Sequence, residues 1–361
     1  MAQREPTHER LTSRHTSEVN GQAESPHERL DRLILDWQFG QIVRAFLTLG
    51  LPDLLGSEAR DVGWLAENSS THAPSLRRLL TAARGLDLVA SGEVEGEYVL
   101  GPVGRELTVD AASPYRELVL LCTAPWLTRP WEHLAEAIRT GTATFSTAHG
   151  TDYWSYVATH PQEAAAFNEG MAVGQTARAT ALASALDIAE GTTVVDVGGG
   201  SGLLLACLLQ AKPGVLGILA DTPEGVAGAP DVLESHGVQE RVRIVASDFL
   251  QGVPGGGDLY ILSRIVHDWA DEPAEAILRN TRKAMRAGGR VVLIEGVLPD
   301  RADVPSEQLL DLAREDLEML LLVGGKERTR EEYAELLGRA GFELTNVHEV
   351  PGRDIICAIA R

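Results

Sequence analysis

The sequence is short of positive charge, of cysteine and of long apolar runs, and each shortage excludes something. Across 361 residues, 32 Lys and Arg stand against 52 Asp and Glu, a formal charge of −20. A field of that sign repels phosphate backbones and anionic headgroups, so neither nucleic acid nor an acidic membrane surface is an expected partner. The longest apolar runs, such as Leu203–Leu209, fall well below the roughly 20 residues of a membrane-spanning helix. No charged-then-apolar segment at the amino terminus reads as a secretion signal. Residues 1–28 are polar and without apolar period, and read as a disordered leader. The cysteines, Cys122, Cys207 and Cys357, are too scattered for a disulfide framework or a metal site. Cys207 and Cys357 sit in apolar stretches, as buried free thiols do. A reducing, cytoplasmic setting is the expectation.

What is present suffices for two domains: 44% of residues are hydrophobic, enough to build a substantial core over this length. Leu30, Leu33, Ile34, Trp37 and Ile42 recur at helical spacing, followed by Ala45-Phe46 and Leu54-Leu55. A helix over Ser75–Leu80 opens on a Ser suited to capping, and short strands at Leu88–Ala90 and Tyr98–Leu100 flank a Ser91-Gly92 turn. Two helices and a hairpin are winged-helix grammar. Between Leu55 and Leu107, however, five basic residues face eight acidic ones, and the wing carries Glu93, Glu95 and Glu97. A DNA reader needs the opposite sign there, so packing or dimerisation is the better reading. Ser113–Ala185 reads as a helical connector. Beyond it, β-rich runs alternate with helices at Thr193–Val197, Val215–Ala220, Val242–Val245, Leu259–Leu262 and Arg290–Ile294, which predicts a parallel sheet wrapped by helices. Glu343–Val350 and Asp354–Ala360 pair across Pro351-Gly352 as a final hairpin.

The sharpest local pattern is Val194-Val195-Asp196-Val197-Gly198-Gly199-Gly200-Ser201-Gly202, a buried strand entering a glycine turn and then the helix Leu203–Leu209. Glycines there permit positive φ and close approach of a ligand to backbone, and the helix start favours an anion. Leu203 stands where a nicotinamide fingerprint needs glycine, and no Gly-Lys-Ser/Thr follows to make a phosphate loop. A purely structural turn fits the same residues. Asp221 ends the next strand, nineteen residues after Gly202, where a carboxylate accepts from ribose hydroxyls. Asp248-Phe249 ends the third, offering an acceptor for an adenine amino group and a face for its ring. The plain alternatives are a surface carboxylate for Asp221 and a turn cap for Asp248. After the fourth strand comes Ser263-Arg264-Ile265-Val266-His267-Asp268-Trp269, which sets an imidazole beside the same sheet edge. Asp271 is placed to cap the helix that follows, with Pro273 in its first turn.

The order and spacing of VVDVGGGSG at 194–202, SDF at 247–249, VHDW at 266–269, VLIEGVLP at 292–299, DLEML at 316–320 and GGKERT at 324–329 resemble one family. It is the class I O-methyltransferases of the plant caffeate and hydroxyindole type, with actinobacterial members in natural-product pathways. The resemblance implies a Rossmann-like α/β methyltransferase sheet with an N-terminal α-helical winged-helix dimerisation domain. It implies a dimerisation domain over 29–110, a connector over 111–190 contributing to the acceptor pocket, and an S-adenosylmethionine-binding catalytic domain over 191–361. Gly198 and Gly200 would receive the methionine part of the cofactor, Asp221 its ribose, and Asp248 with Phe249 its adenine. Asp196, Ser263 and Arg264 belong to the same cofactor set. His267 matches the general base, flanked by the acids Glu295 and Glu327. Phe167 and Met171 in FNEGM match residues lining the acceptor pocket, with Asp268 beside them and Met319 on the opposite wall.

Two departures stand out. Ser263-Arg264 replaces the Lys before the Trp of the plant catalytic stretch, and the stretch from Leu320 to Gly324 is one residue shorter. No metal is implied. The expected products are a methylated aromatic or polyketide-type hydroxyl and S-adenosylhomocysteine, made by a homodimer. The alternative is a relative that binds S-adenosylmethionine but performs hydroxylation, decarboxylation or pericyclic chemistry. Retention of His267, Glu295 and Glu327 favours methyl transfer.

Overall fold

The computed structural model describes residues 25–111, 115–172, 175–185, 188–299, 306–349 and 353–361. Its chain divides into two compact units at Pro125/Trp126.

The first unit opens on a helix over Pro26–Thr48, fixed by a capping box in which Ser25 and Glu28 each accept the other's backbone N–H. The helix therefore takes in residues 26–28, the last three of the stretch read as a leader, with Ser25 as its cap; residues 1–24 lie outside the described residues. Three short strands, β1 (Arg60–Asp61), β2 (Val89–Ser91) and β3 (Glu97–Leu100), form an antiparallel sheet in the order β1-β3-β2. The helix predicted to start at Ser75 instead runs Ala73–Gly85 with His72 at its cap. Pro74 occupies the first turn, where its missing N–H costs nothing, and Ser75 hydrogen-bonds His72 Nδ1 at 3.1 Å. Phe46, Leu51, Leu65, Leu80 and Leu88 fill this unit's core. Leu30, Leu33, Ile34 and Trp37, each more than half exposed, form an apolar stripe on the first helix.

The second unit holds a seven-stranded sheet. Its strands are β4 (Thr193–Val197), β5 (Leu216–Asp221), β6 (Val242–Ala246), β7 (Leu259–Ser263), β8 (Arg290–Glu295), β11 (Phe342–His348) and β12 (Asp354–Ala360). Two short strands, β9 (Val297–Leu298) and β10 (Arg328–Thr329), pair separately and in parallel. The large sheet runs β11-β12-β8-β7-β4-β5-β6, parallel from β8 to β6, with β12 and β11 antiparallel at one edge.

Period-two alternation splits its side chains into two cores. Val194, Leu259, Ile261, Val292 and Ile294 pack on one face, and Val195, Val197, Tyr260, Leu262, Val291 and Leu293 on the other. Burial on both faces explains why these strands read as unbroken apolar runs. Asp196 shares the parity of Val194 and is 1% exposed, so a carboxylate enters an otherwise apolar layer. No disulfide joins the three cysteines; Cys207 and Cys357 are half-buried rather than buried, and Cys122 is exposed. Among the described residues no helix is long and apolar enough to cross a membrane.

Candidate active site

At the carboxyl end of β4 the chain turns through Gly198 and Gly200, at φ +69° and +53°. A Cβ on Gly198 would lie 2.3 Å from the Ile265 side chain and 3.5 Å from the Phe249 ring, so the glycine loop, Phe249 and the segment after β7 converge. A Cβ on Gly200 would meet nothing within 4 Å, so the loop presents backbone rather than side chain there. Asp221, at the end of β5, accepts from the Gly200 N–H at 2.8 Å and the Thr222 N–H at 2.7 Å. Asp196 is different. Both its oxygens are buried without a partner, and burial together with neighbouring Asp221 raises its carboxyl to about 7. Asp248 caps a turn, its Oδ1 accepting from Leu250 N–H at 2.8 Å, while Asn280 holds the Phe249 and Leu250 carbonyls. Phe249 stands edge-on to Trp269, which stacks on Trp154.

The stretch after β7 is assembled from four elements. Ser263 ends the strand, and Arg264 takes the left-handed region at φ +58°, uncommon for a residue with a side chain. That turn aims the 3-10 helix Val266–Asp268 back over the sheet, where His267 is 2% exposed. Glu295, the last residue of β8, accepts from the Ile265 and Val266 N–H groups at 3.0 and 2.8 Å through Oε1, fixing the turn. Its Oε2 is buried, unpartnered and 3.8 Å from His267 Nδ1. The parallel ladder Arg328↔Val297 sets Glu327 across from Gly296, one residue from Glu295. Glu327 Oε1 accepts from His267 Nδ1 at 2.7 Å, which directs Nε2 away from both acids, with Asp268 Oδ1 3.4 Å from it.

Burial pulls the imidazole down, but Glu295, Asp268 and the hydrogen bond to Glu327 outweigh it and raise His267 to about 8. Glu295 is raised by burial, whereas Glu327, despite its burial, is lowered by His267 and Arg353. Asp268 is raised by burial, opposed by His267 and Arg264. One side-chain nitrogen or oxygen from each of His267, Glu295 and Glu327 lies within 4.8 Å of the others. The Arg353 guanidinium donates at 2.8 Å to Glu327 Oε1, the oxygen that also accepts from His267 Nδ1.

Two buried arginines in this assembly have no counterpart in the sequence reading. Arg328, fully buried, donates to the Val266 and Trp269 carbonyls at 3.2 and 2.9 Å and pairs with Asp271. Asp271 is thus the first residue of the helix Asp271–Ala284 and an ion-pair partner, while Ala270 takes the cap position without a side-chain bond. The Gly324-Gly325 pair lets this segment approach: a Cβ on Gly325 would lie 2.0 Å from the His267 carbonyl, to which Lys326 N–H donates. Arg328 lay inside GGKERT, so its position was visible and its burial was not.

The acceptor residues are less closely gathered. Phe167 packs edge-on against Trp126 and Tyr153 in an aromatic cluster, and Tyr153 is within electrostatic reach of Asp268 and Arg264. Met319 lies half-buried on the helix Ser306–Val323, its carbonyl accepting from Gly324 and Gly325. Met171 falls on the helix Pro161–Ala172, but its side chain is outside the described residues.

Residues 131–343 match the O-methyltransferase domain family. The chain belongs to that family. It is 38% identical to the O-demethylpuromycin-O-methyltransferase of Streptomyces alboniger over 90% of this chain and 86% of the relative. The mitomycin 7-O-methyltransferase structure superposes with a TM-score of 0.86 at 30% identity, covering 93% of this chain and 98% of that one. An O-methyltransferase from neocarzinostatin biosynthesis, solved with S-adenosylmethionine and 2-hydroxy-5-methyl naphthoic acid, gives 0.79 at 31%, covering 90% and 96%. The O-methyltransferase described here is S-adenosylmethionine-dependent and of the natural-product type. Its fold is the class I methyltransferase sheet with a helical amino-terminal unit.

The cofactor's fit can be tested on the residues alone. S-Adenosylmethionine carries cationic groups at its methionine end. Asp196, with two buried unpartnered oxygens beside an open glycine turn, is the donor set such a cation requires.

Proposed function

We propose that this O-methyltransferase methylates a hydroxyl of an aromatic small molecule, with His267 as general base. The observation that carries the reading is the 2.7 Å bond from Nδ1 to Glu327, which leaves Nε2 as the proton acceptor. An aromatic hydroxyl of pKa about 10 is a poor nucleophile until its proton leaves. His267 Nε2 takes that proton, and Glu327 stabilises the imidazolium that forms while Glu295 fixes the turn carrying it. Bound S-adenosylmethionine supplies the methyl group as an electrophile. Gly198 and Gly200 receive its methionine part with Asp196, and Asp221 its ribose. Phe249 and Asp248, through its second oxygen, receive the adenine. Ser263 and the unpartnered Arg264 Nε border the carboxylate or a nearby carbonyl. Phe167, Met171, Asp268 and Met319 are the residues assigned to the acceptor, and alignment of oxygen with methyl does the remaining work.

The test is single-turnover methyl transfer to a phenolic acceptor, followed as S-adenosylhomocysteine released. His267→Gln is expected to keep cofactor affinity and to lower the rate by about 10²–10⁴-fold. A variant as fast as wild type overturns the base. A wild type that converts its acceptor without releasing S-adenosylhomocysteine overturns methyl transfer.

The same reading makes the enzyme a cytoplasmic homodimer paired through a winged-helix-type amino-terminal unit. The exposed stripe Leu30, Leu33, Ile34 and Trp37 supports it, since such patches mark interfaces. Light scattering is expected to report about twice 38.8 kDa. A monomer at micromolar concentration, or a dimer unaffected by Leu33→Glu with Trp37→Glu, would refute the arrangement.

A further inference from the structure

Arg353 stands outside every motif described above, one residue before β12. The antiparallel register Asp354↔Glu295 places it beside Gly296, where a Cβ would fall 2.6 Å from its Nη1 and 2.9 Å from Glu327 Oε2. A side chain at position 296 would therefore occupy the space in which the guanidinium and the carboxylate meet. Arg353 Nη1 donates to Glu327 Oε1 at 2.8 Å, the same oxygen that accepts from His267 Nδ1 at 2.7 Å. Its Nη2 pairs at 2.7 Å with Glu315, on the helix that also carries Met319. A buried cation with both ends engaged has one orientation, and it gives the shared carboxylate one orientation too.

We propose that Arg353 is a positioning residue for methyl transfer: it locks Glu327 against the imidazole and, by sharing the oxygen, weakens the carboxylate's hold on the imidazole proton. This rests on His267 being the base. The imidazole faces Glu295 from β8, Glu327 from the segment before β10 and Asp268 from its own turn. Around them stand Arg353, Glu315, Arg264 after β7, and Asp316, which accepts the Glu327 N–H at 2.8 Å. Tyr333, kept protonated by burial, donates to the Gly296 carbonyl, and Lys326 and Arg328 pair with Asp271 on the far side. Arg353 is the cation hydrogen-bonded to the acid that orients the base. Its removal disfavours every proton-free form in the cluster, so the base becomes available only at higher pH.

The experiment is single-turnover methyl transfer against pH for Arg353→Met, Arg353→Lys and Glu315→Gln, with S-adenosylhomocysteine calorimetry to establish that each variant is folded. In Arg353→Met the alkaline plateau is expected to fall about tenfold or more. The pH at which the rate is half its plateau should move up, on the order of one unit. Arg353→Lys keeps the charge without the fork, so the midpoint returns toward wild type while the plateau recovers only in part. Glu315→Gln removes an anion from the other end of the guanidinium and leaves the midpoint at or below the wild-type pH. A Met variant with a lower plateau but the wild-type midpoint would make Arg353 merely structural. A Lys variant indistinguishable from Met would overturn the proposal as well. If Arg353→Met does not bind S-adenosylhomocysteine, the other two decide: an upward midpoint in Glu315→Gln, or an Arg353→Lys plateau equal to that of wild type, overturns it. If the pH dependence survives in His267→Gln, the base reading itself fails, which is a separate outcome.

Discussion

At one half of the sheet's carboxyl edge, past β4, Asp196 keeps both oxygens buried and unpartnered, and Gly200 fronts open space. At the other half, past β7 and β8, Arg328, Arg353 and two backbone N–H groups engage the Val266 and Trp269 carbonyls and one oxygen each of Glu327 and Glu295, while Glu295 Oε2 and Glu327 Oε2 stay buried without a partner. The first half is completed by what it binds. The second must hold an imidazole in one tautomer throughout, so its partners belong to the chain. Asp196, with neither oxygen engaged, marks the half proposed to take the cofactor; Glu295 and Glu327, each held through one oxygen, mark the half proposed to carry the base.

The harshest way to break that contrast is Arg328→Met. It removes the guanidinium donors to the Val266 and Trp269 carbonyls in a buried turn, Val266 keeping only the 3.3 Å bond from Trp269 N–H, while Asp271, half-exposed, is resolvated. Denaturant unfolding is expected to show a loss of about 2–4 kcal/mol, with turnover falling alongside. Unchanged stability would mean that the Arg328 bonds do not hold this turn.

Asp196→Asn works in the opposite sense. Removing an uncompensated buried carboxylate should leave the cofactor-free fold as stable as before or more so, while cofactor binding weakens by about 1–3 kcal/mol. The pH dependence follows from the same cause. With the folded carboxyl raised to about 7, its contribution to cofactor-free stability is full below the ordinary value of about 4 and lost as pH rises through 7. The ionised form holds a cation, so wild-type affinity should fall as pH drops through 7 and stay flat in Asp196→Asn. Calorimetry at three pH values checks both. An Asp196→Asn variant that loses stability instead of affinity would erase the distinction between the two halves.

Much of this site could be read before the fold was known, for a definite reason. Strands buried on both faces are apolar runs with abrupt ends, so β4 falls at Thr193–Val197 as expected, and β5, β7 and β8 run one residue further into the edge, to Asp221, Ser263 and Glu295. Residues at strand ends carry their position with them, which is why His267 could be set beside this edge, whereas Glu295 and Glu327 were named through the family resemblance. Arg353 and Arg328 were not, because a buried arginine is spelled like a surface one. Only the β12/β8 and β9/β10 registers bring them inward. Asp271 misled for the related reason that a carboxylate at a helix start caps more often than it pairs with an arginine from a distant segment. β1, two residues long, has no period to detect.

In the proposed function His267 is a base whose proton is held by the acids around it, which outweigh burial and raise it to about 8. The most direct measurement is the single-turnover rate of methyl transfer from about pH 6 to 9.5 in wild type and in His267→Gln. The wild-type rate should climb with pH to a plateau, with its midpoint near 8, while the variant shows a small rate without that climb. A wild-type rate that is flat across this range, or a climb that persists in His267→Gln, would contradict it.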